Sequence, residues 1–289
     1  MSAPDAVVVT AVRWRVRAVV AVLVAAGLVL VGFVAGKFGV RAETIAVAEP
    51  SAAQLRAVAD TRVFFGHQSV GSNLLGGLAA LTAETDENGL QVLETRDAVA
   101  GGGFLAHAHV GVNGDPQSKF DDFAAVIDGA LGESLDVALL KLCYTDVTAG
   151  TDVEAVFSVY EDLLADLQER HPDITFLYAT VPVTTDRGLR ATISSWLDPD
   201  DAMGPTDNIA RHRFNELVRE RFAGSGRLFD IAAVEAAMSQ APTRRLAPGG
   251  EYYVLHPAFS SDPGHLNEAG SRAVAAEFVR LVAEHTAGP

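Results

Sequence analysis

From Arg62 onward, short apolar runs alternate with segments whose apolar residues recur every three or four positions, and this limits the folds open to the chain. Residues 137–142 and 174–181 are nearly all apolar, as strands covered on both faces must be. Residues 62–65, 90–93 and 228–231 read as three further strands. Between them lie helical stripes: Val70, Leu74, Leu75, Leu78 and Leu81; Phe120, Phe123, Ala124, Ile127 and Leu131; and Val153, Val156, Phe157, Tyr160, Leu163, Leu164 and Leu167. Phe214, Leu217, Val218 and Phe222 mark another, and Val274, Phe278, Leu281 and Val282 the last. Five strands separated by helices predict an α/β domain, with a mostly parallel five-stranded sheet covered by helices on both faces. The stretches 98–118 and 184–205 read as long loops, the first made flexible by Gly101, Gly102 and Gly103.

The first part of the chain is different. Residues 18–36 are 19 small or apolar residues without a charge. As a helix they span roughly 28 Å, near the thickness of a bilayer core. Arg13, Arg15 and Arg17 precede them, which predicts a cytoplasmic tail (1–17), a transmembrane signal anchor (18–36), a linker (37–56) and an extracytoplasmic domain (57–289). The alternative is secretion after signal cleavage near Ala46-Val-Ala48, ten residues past the apolar run. The formal net charge is −15, and the basic residues of the leader make the remainder still more acidic, which argues against nucleic-acid binding. The single cysteine, Cys143, excludes an intramolecular disulfide and reads as a buried thiol.

Two segments carry the chemistry. Phe65-Gly66-His67-Gln68-Ser69-Val70 runs from the first strand straight into a helix, so Ser69 falls at the sheet's C-terminal edge near free helix N–H groups. The same position suits an N-cap serine, and this segment alone does not separate the two. Ser260-Ser-Asp262-Pro-Gly-His265-Leu-Asn267 leads into the last helix. A serine nucleophile needs a base, and a histidine base needs a carboxylate to hold its tautomer. Asp262 and His265, separated by a Pro-Gly turn, supply both.

Asp262-x-x-His265-Leu-Asn-x-x-Gly270, together with Arg211 and Asn215 ahead of Leu217 and then Phe229-Asp230-Ile231, resembles the SGNH (GDSL-type) hydrolase superfamily over about 61–282. Gly-His67-Gln-Ser69-Val-Gly with Lys141-x-Cys-Tyr-x-Asp146 resembles a divergent subgroup of it. The resemblance implies a flavodoxin-like three-layer α/β/α sandwich and ester or acyl hydrolysis, with no metal and no cofactor. It implies Ser69, Asp262 and His265 as the catalytic set. The usual Gly-Asp-Ser-Leu and Gly-x-Asn-Asp blocks are absent, so the oxyanion hole has no direct counterpart. Gly101, Gly102, Gly103 or Gly111 could stand for the family's glycine. Asn113 is a candidate for the missing amide, and His67 and Asp146 are candidates for binding at the same place.

The partner expected is a small-molecule or glycan acyl ester, with O-acylated carbohydrate favoured by an outward-facing domain. Two rivals remain open. One is an anchored binding module that kept the fold and lost the activity. The other is a metal-dependent hydrolase using His107 and His109, which share the i, i+2 spacing of a strand, with His67 or His256 joining them. Lys141, inside an apolar strand, is expected either to pair with Asp146 or another acid, or to reach solvent. Tyr252 and Tyr253 are pocket or core residues.

Overall fold

In the computed structural model, residues 48–83, 89–185, 203–238, 243–247 and 250–286 are described. The segment 18–36, expected to be an anchor, and most of the stretch 184–205 lie outside them. Among the described residues no helix is long and apolar enough to cross a membrane.

The domain is α/β with a parallel six-stranded sheet, where the sequence reading had five strands. The strands are β1 (Arg62–His67), β2 (Val92–Glu94), β3 (Phe104–His109), β4 (Val137–Leu140), β5 (Thr175–Ala179) and β6 (Leu228–Phe229), in the order β2-β3-β1-β4-β5-β6. Strand β3 lies inside the stretch read as a loop. Its sequence Phe-Leu-Ala-His-Ala-His interrupts the apolar run with two histidines, and a triple glycine precedes it, so no periodic signal marks it. Leaving out the edge strand β2, the order is the 2-1-3-4-5 of flavodoxin-type sheets, whose topological switch point lies beside β1.

Alternation along each strand sorts the core into two layers. Val63 and Phe65, Leu105, Val137 and Leu139, and Leu177 and Ala179 face one side. There they meet helices α1 (Ala52–Ala59), α2 (Val70–Ala83), the short α6 (Ile231–Glu235) and α7 (Glu268–Thr286). Phe64, Phe104, Ala106, Ala138, Leu140 and Phe176 face the other side and meet α3 (Pro116–Ile127), α4 (Val153–Arg170) and α5 (Pro205–Phe222).

Local sequence explains where these helices begin. Ser51 and Gln54 form a capping box for α1; Asp115, followed by Pro116, caps α3; Asp152 caps α4. Two short antiparallel pairs follow β6: β7 (Arg244–Ala247) with β8 (Gly250–Tyr253), and β9 (Ser260–Asp262) with β10 (His265–Leu266). Tyr252 is buried. Tyr253 lies under the Arg244 guanidinium, 5.4 Å from its ring centroid.

Candidate active site

Only Gln68 and Ser69 separate β1 from α2, and the turn they make is strained. Ser69 has φ +46°, a left-handed conformation that costs a non-glycine residue about 1–3 kcal/mol. Its surroundings hold it there. The Gln68 side chain donates to the carbonyls of Val110 (3.3 Å) and Gly111 (3.0 Å) after β3. The Gln68 carbonyl accepts from Gly71 N–H (3.0 Å) and from Lys141 Nζ (2.7 Å) after β4. The elbow is therefore pinned to both neighbouring strands at the switch point.

The structure brings Ser69, His265 and Asp262 together. Ser69 Oγ lies 2.7 Å from His265 Nε2, and His265 Nδ1 lies 2.9 Å from each Asp262 oxygen. Asp262 and His265 face each other across the β9–β10 pair. Burial acts to raise the Asp262 pKa, but hydrogen bonds from Gly264 N–H, the His265 ring and His265 N–H outweigh it and hold the carboxyl below its ordinary range. The side chains of His265 and Asp262 are 38% and 51% exposed, so the set is open to a substrate from solvent. Asn73 on α2 clasps Leu266 through both its amide atoms (3.3 and 3.4 Å), locking the histidine loop to the helix that carries the serine. Asn267 and Gly270 act inside the loop. Asn267 accepts Gly270 N–H and donates to the Ala258 carbonyl.

Gly264 is required by packing. A Cβ there would meet the Tyr144 ring at 2.8 Å, and that ring stands edge-on to His265 with centroids 6.2 Å apart. Gly264→Ala is expected to tilt the turn and lower kcat/KM on an aryl ester by about 10- to 100-fold. Steady-state kinetics check this, and parent-like activity would refute it.

The remaining candidates fall in different places. Gly102 precedes β3 at the N-terminal edge of the sheet, whereas Ser69 follows β1 at the C-terminal edge. A Cβ on its neighbour Gly103 would strike Ala59 O at 2.2 Å, at the end of α1 just before β1, so the triple glycine lies one strand length, roughly 17 Å, from the elbow. The reading of Gly102 as an oxyanion donor is thereby corrected. Asp146 is corrected too. It is buried, and both oxygens are occupied: Oδ2 by Lys119 Nζ (2.5 Å) and Cys143 N–H (2.5 Å), Oδ1 by Gly114 N–H (2.8 Å).

Asp146 pairs with Lys119, not with Lys141, which is wholly buried and bonds the Gln68 carbonyl. Lys119 also donates to Asn113 Oδ1 (2.9 Å). A lysine can only donate, so this contact makes the Asn113 Oδ1 the acceptor and leaves its NH2 outside this bond. Asn113 itself is exposed, on the loop that receives the Gln68 side chain. Gly111 N–H donates to Asp122. The Ser69 N–H and the Asn113 NH2 meet no acceptor among the described residues.

His67 is wholly buried beneath the elbow, stacked on Phe65 at 4.7 Å, and is not open to a substrate. Burial, with Lys141 and the two neighbouring histidines, lowers its pKa to about 3, so it stays neutral. Its Nε2 lies 3.2 Å from His107 Nδ1, and its ring sits edge-on to His109. His256 is elsewhere, accepting from Ala258 N–H on the loop before β9. Among the described residues no group of three or more His, Cys, Asp or Glu has an arrangement able to hold a metal ion.

Sequence reading missed Asn73, Lys119 and Tyr144. The buried polar stripe Asn208, Arg211 and Asn215 on α5 is a further support. Asn208 and Asn215 each bond both backbone groups of one residue after β5, Thr184 and Val181. Arg211 bonds the Tyr144 carbonyl.

Glu235, also wholly buried, accepts Val183 N–H at 2.7 Å, and burial raises its pKa from 4.5 to about 8. Between those values the folded state holds a proton that the unfolded state has released. Its contribution to stability therefore falls as pH rises through that window. Glu235→Gln is expected to flatten that part of a Tm-against-pH curve, and an unchanged slope would refute the assignment. An open cavity of about 670 Å³, lined by Arg56, Asp60, Thr61, Asp136 and His285, lies at the N-terminal edge of the sheet and shares no residue with the Ser69 site.

No protein-family model matches the sequence, and no curated protein does. Solved structures are similar in shape. One is a proposed platelet activating factor from Streptococcus pneumonia (12% identity, 83% of this chain and 86% of that one, TM-score 0.47). Another is the acetyl xylan esterase AlAXEase (18% identity, 75% and 97%, TM-score 0.39). A third is the periplasmic domain of a Salmonella ser. Paratyphi A lipopolysaccharide acetyltransferase (13% identity, 75% and 82%, TM-score 0.37). Likeness at this level is coarse, and the chemistry of the chain rests on its own residues.

Proposed function

We propose that this chain is a serine hydrolase of the SGNH type that cleaves acyl esters through a covalent acyl-enzyme. The observation that carries the reading is the unbroken line Ser69 Oγ–His265 Nε2, His265 Nδ1–Asp262, with each contact at hydrogen-bond distance. His265 takes the Ser69 proton as Oγ attacks the ester carbonyl. Asp262 keeps Nδ1 protonated and stabilises the imidazolium. The tetrahedral oxyanion is held by the Ser69 N–H and the Asn113 NH2, neither of which meets an acceptor among the described residues. His265 then protonates the departing alkoxide, activates a water on the acyl-enzyme, and the acid leaves.

The open triad suits an ester carried on a larger molecule, and O-acylated carbohydrate outside the cell is the substrate class proposed. The domain is proposed to be held there by the apolar segment 18–36. A serine-directed fluorophosphonate tests the reading. Labelling of the purified protein is expected on Ser69 and is expected to vanish in His265→Ala. Folded parent protein that does not label would instead favour a binding module, and activity lost to a chelator would favour a metal enzyme. A screen of aryl esters and acetylated glycans then identifies the acyl donor.

A further inference from the structure

Lys141 is the one buried cation beside the elbow that the mechanism above leaves without a task. It follows β4 on the face shared by Val137 and Leu139, and it is wholly buried. Among the described residues no carboxylate lies at ion-pair distance from it. Its side-chain contacts are the Gln68 carbonyl at 2.7 Å and the Cys143 thiol at 3.5 Å. A buried cation without a carboxylate is among the costliest groups a core can hold, and a methionine of similar length would fill the same space.

What Lys141 grips is the peptide that joins Gln68 to Ser69. That peptide is trans, so its C=O and N–H point in opposite directions. Lys141 holds the carbonyl from the buried side, and Gly71 N–H adds a second donor at 3.0 Å. The Ser69 N–H therefore points away from the buried amine, and it meets no acceptor among the described residues. Two donors on one carbonyl also draw charge out of the amide and make its N–H a stronger donor.

We propose that Lys141 is a positioning residue of the acyl-transfer site, aiming and polarising the Ser69 N–H toward the oxyanion and setting a positive charge behind it. Burial lowers the Lys141 pKa, whereas a negative charge forming in front of the elbow acts in the opposite direction and favours its protonated form. The inference rests on the serine-hydrolase reading above.

The test is a split of kcat against KM on an aryl ester. Lys141→Met is expected to lower kcat by about 10- to 100-fold while KM stays within about threefold, because the interaction strengthens only in the transition state. Lys141→Ala removes the atoms of propylamine. Added propylamine is expected to restore kcat saturably, and propanol of the same length is not. A folded Lys141→Met with parent-like kcat, or a loss that falls on KM alone, overturns the proposal. If Lys141→Met fails to fold, the amine rescue of Lys141→Ala decides, and its absence overturns the proposal. A parent that does not label at Ser69 overturns the hydrolase reading and this inference with it. A parent that labels at Ser69, with a Lys141→Met whose kcat equals the parent's, overturns this inference alone.

Discussion

Ser69→Ala is expected to lower kcat on a short-chain aryl ester by about 10⁴- to 10⁶-fold, equivalent to roughly 5–8 kcal/mol of transition-state stabilisation. In the proposed mechanism Ser69 Oγ is the atom that bonds to the acyl group, so nothing else at the elbow substitutes for it. His265→Ala is expected to cost a comparable factor, since Oγ at 2.7 Å from Nε2 has no other base within the described hydrogen bonds. The two losses should not add: without the base the serine is already a poor nucleophile, so Ser69→Ala/His265→Ala should be no slower than the worse single variant. Steady-state kinetics with thermal melts on the same samples separate this from unfolding. A Ser69→Ala protein as fast as the parent would end the serine-hydrolase reading.

The second large effect is on stability. Asp146→Ala is expected to destabilise the domain by about 3–5 kcal/mol, a fall in Tm of roughly 6–20 °C. Three groups lose a carboxylate acceptor at once: the wholly buried Lys119 ammonium, which keeps only Asn113 Oδ1, and the N–H groups of Cys143 and Gly114. Most of the cost comes from leaving Lys119 charged and unpaired. The double variant Lys119→Met/Asp146→Leu should therefore recover part of the loss, although each N–H remains without its carboxylate. Asn113 would also lose its anchor, so the double variant should be slower than its stability alone explains. Melting curves of the single and double variants, analysed as a cycle, check this. A single variant within about 1 kcal/mol of the parent would mean that the buried pair is not the hub described.

The chain alone determined the layers of the fold and the ends of the site. Strand runs such as 137–140 are apolar because both faces of a parallel sheet are covered, and that pattern needs no partner to be read. Asp262 and His265 are neighbours in sequence, so a Pro-Gly turn suffices to place them together. Strand β3 was not legible, because its two histidines and the glycines before it erase the period on which reading depends. Long-range partners were not legible either. Lys119 and Lys141 both precede Asp146, and nothing in their spacing tells which of them pairs with it. Gly102 and Gly111 fit a motif equally well, but a parallel sheet has two edges, and only its register puts the first at the wrong one. The residues proposed as nucleophile, base and orienter could be picked out from the sequence. The folded structure decided what surrounds them, because hydrogen bonds across 73 or 196 residues of separation exist only once the strands are in register.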